Sequence, residues 1–318
     1  MEYRVLGRTG IQVSELCLGA MMFGEFGTKD HDESVRIIHR ALDAGVNLID
    51  TADVYSQGES EEIVGKAIVG RRDELVIATK FTGQMGAGRN RRGGSRRWIM
   101  QECEASLRRL GTEYIDLYQM HHIDRGTGWD EIWEAMDVLR VQGKVLYVGS
   151  SNFAGWHIAR AQEAAARRNF MGLVSEQSIY NLIVRNVEAE VLPAAEAYGL
   201  GVIPWSPLQG GLLGGVVRKE RDGSRRYAGR AAETIEARRP QLEAYEDLCA
   251  EVGEDPGTVG LAWLLTRPAV TGPIVGPRTP EHLDSALRAV EVTLDDKVLA
   301  RLDEIFPGHK AAPEDYAW

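Results

Sequence analysis

The sequence predicts an α/β protein: a (β/α)8 TIM barrel preceded by a β-hairpin and followed by an extra C-terminal helix, as one domain over residues 1–318. Three observations carry that expectation. Short apolar runs alternate eight times with stretches of helical spacing; strands alternating with helices imply a parallel sheet, and eight repeats close it. Glycines stand just past several helical stretches (Gly45, Gly111, Gly143, Gly199), where helix C-termini usually place them. The rival topology, a doubly wound sheet with a GxGxxG turn, finds only Gly86-Ala-Gly88, with no third glycine in register and no apolar strand directly before it.

In chain order, Tyr3–Leu6 and Ile11–Leu16 alternate apolar and polar residues around Gly7-Arg-Thr-Gly10 and predict the hairpin. Cys17–Leu18 is the first barrel strand, followed by a helix over Asp32–Asp43, whose Val35, Ile38, Ala41 and Leu42 fall on one face. The next pairs are Val46–Ile49 with Glu59–Ile68, Leu75–Ala78 with Ser95–Leu110, and Ile115–Met120 with Asp130–Val141. Val145–Val148 leads to Gly155–Arg168, and Gly172–Ser175 to Val187–Tyr198. Gly201–Ile203 leads to a long insert and to helices near Pro240–Val252 and Pro256–Thr266. Val270–Val275 with Pro280–Val290 completes the eight; Leu294–Ile305 is the extra helix and Gly308–Trp318 a tail.

Composition bounds the function. At 44% hydrophobic and 26% charged, the chain reads as an ordinary soluble globular protein. A net charge of −10 argues against a nucleic-acid partner, because phosphate backbones demand a basic face. Cys17, Cys103 and Cys249 are scattered and odd in number, which gives no disulfide framework and suits a reducing cytoplasm. The opening Met1-Glu-Tyr-Arg-Val lacks a signal-peptide profile, and no apolar run reaches membrane-spanning length. The expectation is a cytoplasmic protein with neither a nucleic-acid nor a membrane partner; its oligomeric state is not readable.

The chemistry lies where apolar runs end. Asp50 closes one run, with Tyr55 five residues on; Thr79-Lys80 follows the next; His121 follows the third. In a parallel barrel the carboxyl ends of the strands form the catalytic rim. A buried lysine needs an anion, and Asp50 is the candidate for Lys80. A salt-bridged ammonium beside Tyr55 is expected to lower the phenol from its usual value of about 10 towards the working range of a general acid. Tyr55 would then protonate a substrate oxygen, with His121 fixing that oxygen by a hydrogen bond. Taken singly, each residue has a plainer alternative: a turn cap, a half-buried aromatic, a surface lysine, a core histidine. One site is the more economical account of all four at the same end of three neighbouring strands. If the strand persists to His122, that residue faces away from His121, since strand residues alternate. That weakens a metal site, despite Asp53 and Asp124 nearby, and none is expected.

At these residues the sequence resembles the aldo-keto reductase family, in its bacterial and potassium-channel-β-like branches, over nearly the whole chain. The motifs are Tyr3-Arg-Val-Leu-Gly-Arg-Thr-Gly10, Leu18-Gly-Ala-Met-Met-Phe-Gly24, Gly45-Val-Asn-Leu-Ile-Asp-Thr-Ala-Asp-Val-Tyr55, Ala78-Thr-Lys80 and Asp116-Leu-Tyr-Gln-Met-His121. The resemblance puts the family's catalytic tetrad on Asp50, Tyr55, Lys80 and His121, and selects His121 over His122. It implies reduction of aldehydes or ketones with a nicotinamide cofactor, NADPH preferred over NADH, bound without a Rossmann fold. It places the carboxamide contacts on Ser151, Asn152 and Gln177, and the ring-stacking aromatic on Trp205. Ser206, Leu208 and Gly210 would lie along the pyrophosphate. Gly276, Arg278 and His282, after the last strand, would face the adenosine end, with Arg278 toward the 2′-phosphate. His282 and Ala286 stand where the family often has glutamine and asparagine.

Two further readings stay open: a Schiff-base aldolase using Lys80, and a slow cofactor-binding regulatory subunit. Arg89-Asn-Arg-Arg-Gly-Gly-Ser-Arg-Arg97 is a basic cluster in an acidic chain, either a solvated loop or an attractor for a phosphorylated or nucleotide-linked substrate. The charged insert Arg218–Arg239 is either a lid or an exposed segment, and the aromatic tail Tyr316–Trp318 either covers the pocket or frays.

Overall fold

The computed structural model describes residues 1–317. Two short strands, β1 (Tyr3–Val5) and β2 (Gln12–Ser14), pair antiparallel as the expected hairpin. The barrel follows as β3 (Cys17–Gly19), α1 (His31–Asp43), β4 (Leu48–Asp50), α2 (Glu59–Ala67), β5 (Val76–Phe81), α3 (Arg96–Leu110), β6 (Ile115–Met120), α4 (Trp129–Val141), β7 (Val145–Ser151) and α5 (Gly155–Ala166). It continues through β8 (Leu173–Gln177), α6 (Val187–Tyr198), β9 (Gly201–Val202), α7 (Val216–Arg221), α8 (Gly229–Ala237), α9 (Arg239–Val252), α10 (Pro256–Leu265), β10 (Ile274–Val275), α11 (Pro280–Arg288) and α12 (Asp296–Ile305). The eight barrel strands are parallel, in the order β10-β3-β4-β5-β6-β7-β8-β9. Bonds from Thr271 N to Val202 O (2.8 Å) and from Ile274 N to Pro204 O (2.8 Å) join the last segment to β9 and close the ring. This is the predicted (β/α)8 barrel.

Packing inside the barrel positions the site. Leu6 and Val13 of the hairpin region pack against Cys17, Leu48, Val76, Ala78, Leu117, Val174, Ile203 and Ile274, an apolar plug at the amino-terminal end of the strands. Strand side chains on one face recur every second residue. Two positions on from Leu48, Ala78 and Leu117 stand Asp50, Lys80 and Gln119, all buried. The ladder sets Lys80 level with Gln119, and Asp50, level with Ala78 on the neighbouring strand, reaches both of them, so these polar side chains meet at the top of the plug.

The strand bounds depart from the sequence expectation in two ways. Strands β5, β7 and β8 run on to Phe81, Ser151 and Gln177 rather than stopping at Ala78, Val148 and Ser175. Their polar ends find partners inside the barrel mouth and need not leave the sheet. The last strand is shorter than Val270–Val275: Val270 bridges to Val202, and the ladder with β3 resumes only at Ile274, because Pro273 has no N–H to contribute. The charged insert, expected either as a lid or as an exposed segment, forms α7 and α8 and is partly packed. Val216 and Val217 of α7 and Ile235 of α8 are buried against Leu242 of α9. The tail bonds to α6 through Ala312 N and Ala189 O (2.8 Å), with Tyr316 exposed; Trp318 lies outside the described residues. Among the described residues, no helix is long and apolar enough to cross a membrane.

Candidate active site

The ends of β4, β5 and β6 bring Asp50, Lys80 and His121 to one rim, and the turn after β4 returns Tyr55 to it. Lys80 Nζ lies 2.5 Å from Asp50 Oδ2, with both side chains almost fully buried. The same ammonium donates to Tyr55 OH at 3.2 Å and to Thr51 O at 3.0 Å, which uses all three of its donors. The His121 ring meets the Tyr55 ring edge-on, with centroids 5.7 Å apart. Asp50 Oδ1 accepts from Gln119 Nε2 at 2.9 Å and Gln177 Nε2 at 2.8 Å. The carboxylate is therefore held by two amides while its other oxygen faces the lysine.

Electrostatics corrects one expectation. Burial pushes the Tyr55 phenol above its ordinary value of 10.0; Lys80 pulls it down, and Asp50 pushes it back up. The net direction is upward, because the carboxylate largely cancels the ammonium and the phenol sits out of water. Burial also opposes the charge on Lys80, but Asp50 and then Tyr55 outweigh it, so the ammonium is held more firmly than usual. His121 is driven down to about 3, by burial first and then by the charges of Lys80 and His122. At neutral pH it is a neutral imidazole.

The strand does not persist to His122. The strand ends at Met120, so alternation no longer applies, and the His121 and His122 rings stack with centroids 4.9 Å apart and planes 10° apart. Among the described residues, no group of three or more His, Cys, Asp or Glu side chains is placed to hold a metal ion.

The remaining candidates line the rim beyond β7. Ser151 Oγ donates to Gln177 O at 2.8 Å. Asn152, in the left-handed region (φ 60), donates to His121 O at 3.2 Å and accepts from Trp205 Nε1 at 3.0 Å, which ties this side of the mouth to the tetrad. Ser206 (φ 52) accepts from Gly210 N at 3.2 Å, and Leu208 is half-buried inside that turn. Gly276, Arg278 and His282 stand apart, exposed, on the loop after β10 and the first turn of α11. Among the described residues no carboxylate lies within 4.0 Å of Arg278.

Two features were missed from sequence. Gln119 sits inside an apolar strand; its signal was a polar residue two positions before His121, on the lysine's face. The second is a buried charge group behind the Tyr55 turn. Arg109 of α3 binds Glu61 of α2 (2.5 Å) and Glu102 (2.5 Å), and Glu61 also accepts from Thr79 Oγ1 (2.5 Å). Arg109 lies under Gly58 (φ 97), where a Cβ would approach its Cδ to 2.6 Å. Asp53 is fully buried beside this group, with Oδ2 unpartnered; burial and then Glu102 and Glu61 raise its carboxyl to about 8.

Comparisons with known proteins give the family. A family model described as "Aldo/keto reductase family" matches residues 15–306. The chain is 49% identical to "Uncharacterized oxidoreductase YrpG" of Bacillus subtilis (strain 168), covering all of both proteins. It is 35% identical to "Versiconal hemiacetal acetate reductase" of Aspergillus parasiticus (98% of this chain, 100% of that one). It is 34% identical to "Putative voltage-gated potassium channel subunit beta" of Schizosaccharomyces pombe (96% and 93%). With matching motifs, a closed barrel and relatives along its whole length, the chain belongs to the aldo/keto reductase family.

Proposed function

We propose that this protein is an NADPH-dependent reductase that converts aldehydes or ketones to alcohols, with Tyr55 as general acid. The observation that carries the reading is the single ammonium, Lys80 Nζ, held at once by Asp50 Oδ2 at 2.5 Å and against Tyr55 OH at 3.2 Å. As negative charge develops on a substrate oxygen, the Tyr55 proton moves to it, and the fixed ammonium stabilises the phenolate left behind. The neutral His121 ring donates a hydrogen bond to the same oxygen and orients it without competing as an acid. When bound, the nicotinamide supplies the hydride.

The residues present suit such a cofactor. Gln177 spends its amide nitrogen on Asp50 and Gln119, which leaves its carbonyl oxygen, with Ser151 and Asn152, for a carboxamide headgroup. Trp205 offers a ring face, the left-handed turn at Ser206–Gly210 offers backbone N–H groups, with Leu208 inside it, and Gly276 leaves open backbone before α11. Arg278 and His282 would meet the adenosine end, and the exposed guanidinium underlies the choice of NADPH over NADH. A Schiff-base role for Lys80 is disfavoured by the charge it carries, since a nucleophilic amine must be neutral. Borohydride trapping with a carbonyl compound should leave Lys80 unlabelled.

The test is Tyr55→Phe. Loss of NADPH absorbance with a panel of aldehydes should fall about a hundredfold or more in kcat, while NADPH affinity holds. Equal loss of affinity and rate would assign Tyr55 a structural role. The potassium-channel relatives favour a second reading, a subunit that keeps cofactor but turns it over slowly. Wild-type turnover across the aldehyde panel argues against that reading, and tight NADPH binding without turnover argues for it.

A further inference from the structure

The loop from β5 to α3 and the first turn of α3 together carry five arginines between residues 89 and 97, in a chain of net charge −10. Arg96 is paired with Glu134 at 3.0 Å. Among the described residues, no carboxylate lies within 4.0 Å of Arg89, Arg91, Arg92 or Arg97. Elsewhere on this surface exposed arginines such as Arg36, Arg40, Arg140 and Arg301 have found acidic partners. Arg89 and Arg92 line an open cleft of about 520 Å³ together with Gln84, Gly86, Ala87 and Gly88.

This cleft has a fixed wall. Met85 is buried and donates to Arg91 O at 3.0 Å, Arg91 N returns to Gly88 O at 3.1 Å, and Gly93 N bonds Thr82 O at 3.0 Å. Asp124, from the loop after β6, accepts from Gly94 N at 2.8 Å. The wall also starts at the candidate site. Gln84 is four residues from Lys80, a span of at most ~14 Å. A Cβ at Gly83 would collide with Val54, the residue before Tyr55. The candidate cofactor residues follow β7 to β10, whereas this loop follows β5, three strands beyond β10 in the ring. The cleft therefore lies on the β5 side of the rim, apart from the candidate cofactor residues.

We propose that this cleft is an anion subsite of the substrate pocket. It takes a carboxylate or phosphate carried at the end of the carbonyl compound remote from its carbonyl. Guanidinium groups suit either oxyanion, and the negative charge over the rest of the chain leaves this cleft as the attractive region near the site. The inference rests on the reductase reading and narrows it to anionic carbonyl substrates.

The experiment compares matched substrates: 4-carboxybenzaldehyde against benzaldehyde, and glyceraldehyde 3-phosphate against glyceraldehyde. In wild type, kcat/KM should favour at least one anionic member by roughly tenfold or more, mostly through KM; which pair shows it separates carboxylate from phosphate. In Arg89→Ala/Arg92→Ala that ratio should fall towards one, whereas Arg97→Ala, outside the cleft, should keep it. No preference in wild type, an unchanged ratio in the double variant, or equal loss in Arg97→Ala would overturn the subsite; the last would point to a diffuse field. Calorimetric binding of terephthalate, which cannot be reduced here, gives a readout without turnover and should weaken roughly tenfold in the double variant. Reduction of neutral aldehydes with no anion preference sinks this inference alone. Terephthalate binding through Arg89 and Arg92 with no turnover of any aldehyde sinks the reductase reading and leaves the cleft as an anion site without a carbonyl substrate.

Discussion

Replacing Lys80 with methionine isolates the buried ion pair. The two stems are similar in length, so the change removes charge more than volume. Lys80 and Asp50 are 1% and 4% exposed as side chains, so solvent cannot replace the lost partner. Asp50 Oδ2 would lose the cation it is paired with, while Oδ1 keeps the amides of Gln119 and Gln177. Removing one member of a buried pair costs about 3–5 kcal/mol, and the two remaining amide bonds place this case at the lower end. A domain of ordinary stability, ~5–15 kcal/mol, survives that loss. Adding Asp50→Asn removes the stranded charge, so the double variant should recover more than half of it. Urea denaturation of wild type, the two single variants and the double variant gives the coupling energy directly. A loss below about 1 kcal/mol in Lys80→Met, or strict additivity in the double variant, would show that the ammonium is not held by Asp50 as described.

Other expectations follow from the same charges. Asp53, raised from 3.8 to about 8, keeps its proton in the folded protein where the unfolded chain has lost it. The unfolded state therefore binds fewer protons between about pH 4 and about pH 8, and stability falls as pH rises through that window, by up to ~4 kcal/mol at about pH 7. Asp53→Asn stays neutral throughout, so its stability should gain on wild type as pH rises; a difference independent of pH in chemical melts would refute the raised carboxyl. His121, driven down to about 3, should contribute no titration to kcat/KM between about pH 5 and about pH 8. An inflection near the ordinary histidine value that disappears in His121→Asn would show the ring to be solvated. Arg278→Ala should weaken NADPH binding about tenfold or more while changing NADH little; equal weakening would remove Arg278 from the 2′-phosphate.

The barrel was legible because each strand is a short apolar run and each helix an amphipathic stretch bounded by turn residues. Residues such as Asp50 and Lys80 stood out because they interrupt that apolar pattern at its end. Gln119 did not, because it lies within a run, and its inward direction is fixed only by its register with Lys80. The stacking of His121 on His122 depends on the backbone path beyond the end of β6, which no residue pattern gives. The Arg109–Glu61–Glu102 group joins two helices far apart in sequence, and no local pattern announces it. The direction of the Tyr55 shift depends on burial, and on the distance from Lys80 to its counter-charge, which only coordinates supply.

That direction bears on what the buried pair is for. A buried ion pair is weak evidence for stability, since apolar residues of similar volume often serve as well. In this barrel mouth, a lone ammonium against Tyr55 would draw the proton from the phenol and leave no acid to give. A lone phenol, with no cation near it, would hold its proton but leave the phenolate unsupported once it had given it. With Asp50 at 2.5 Å and Tyr55 at 3.2 Å from the same nitrogen, the resting site is neutral and the phenol stays protonated. The ammonium is in place before any charge forms on the tyrosine. Such fixed stabilisation favours the proton-transfer state over the resting state, because nothing has to reorganise when the charge appears. On this view, Gln119 and Gln177 matter because they stop Asp50 from swinging away and unbalancing the pair.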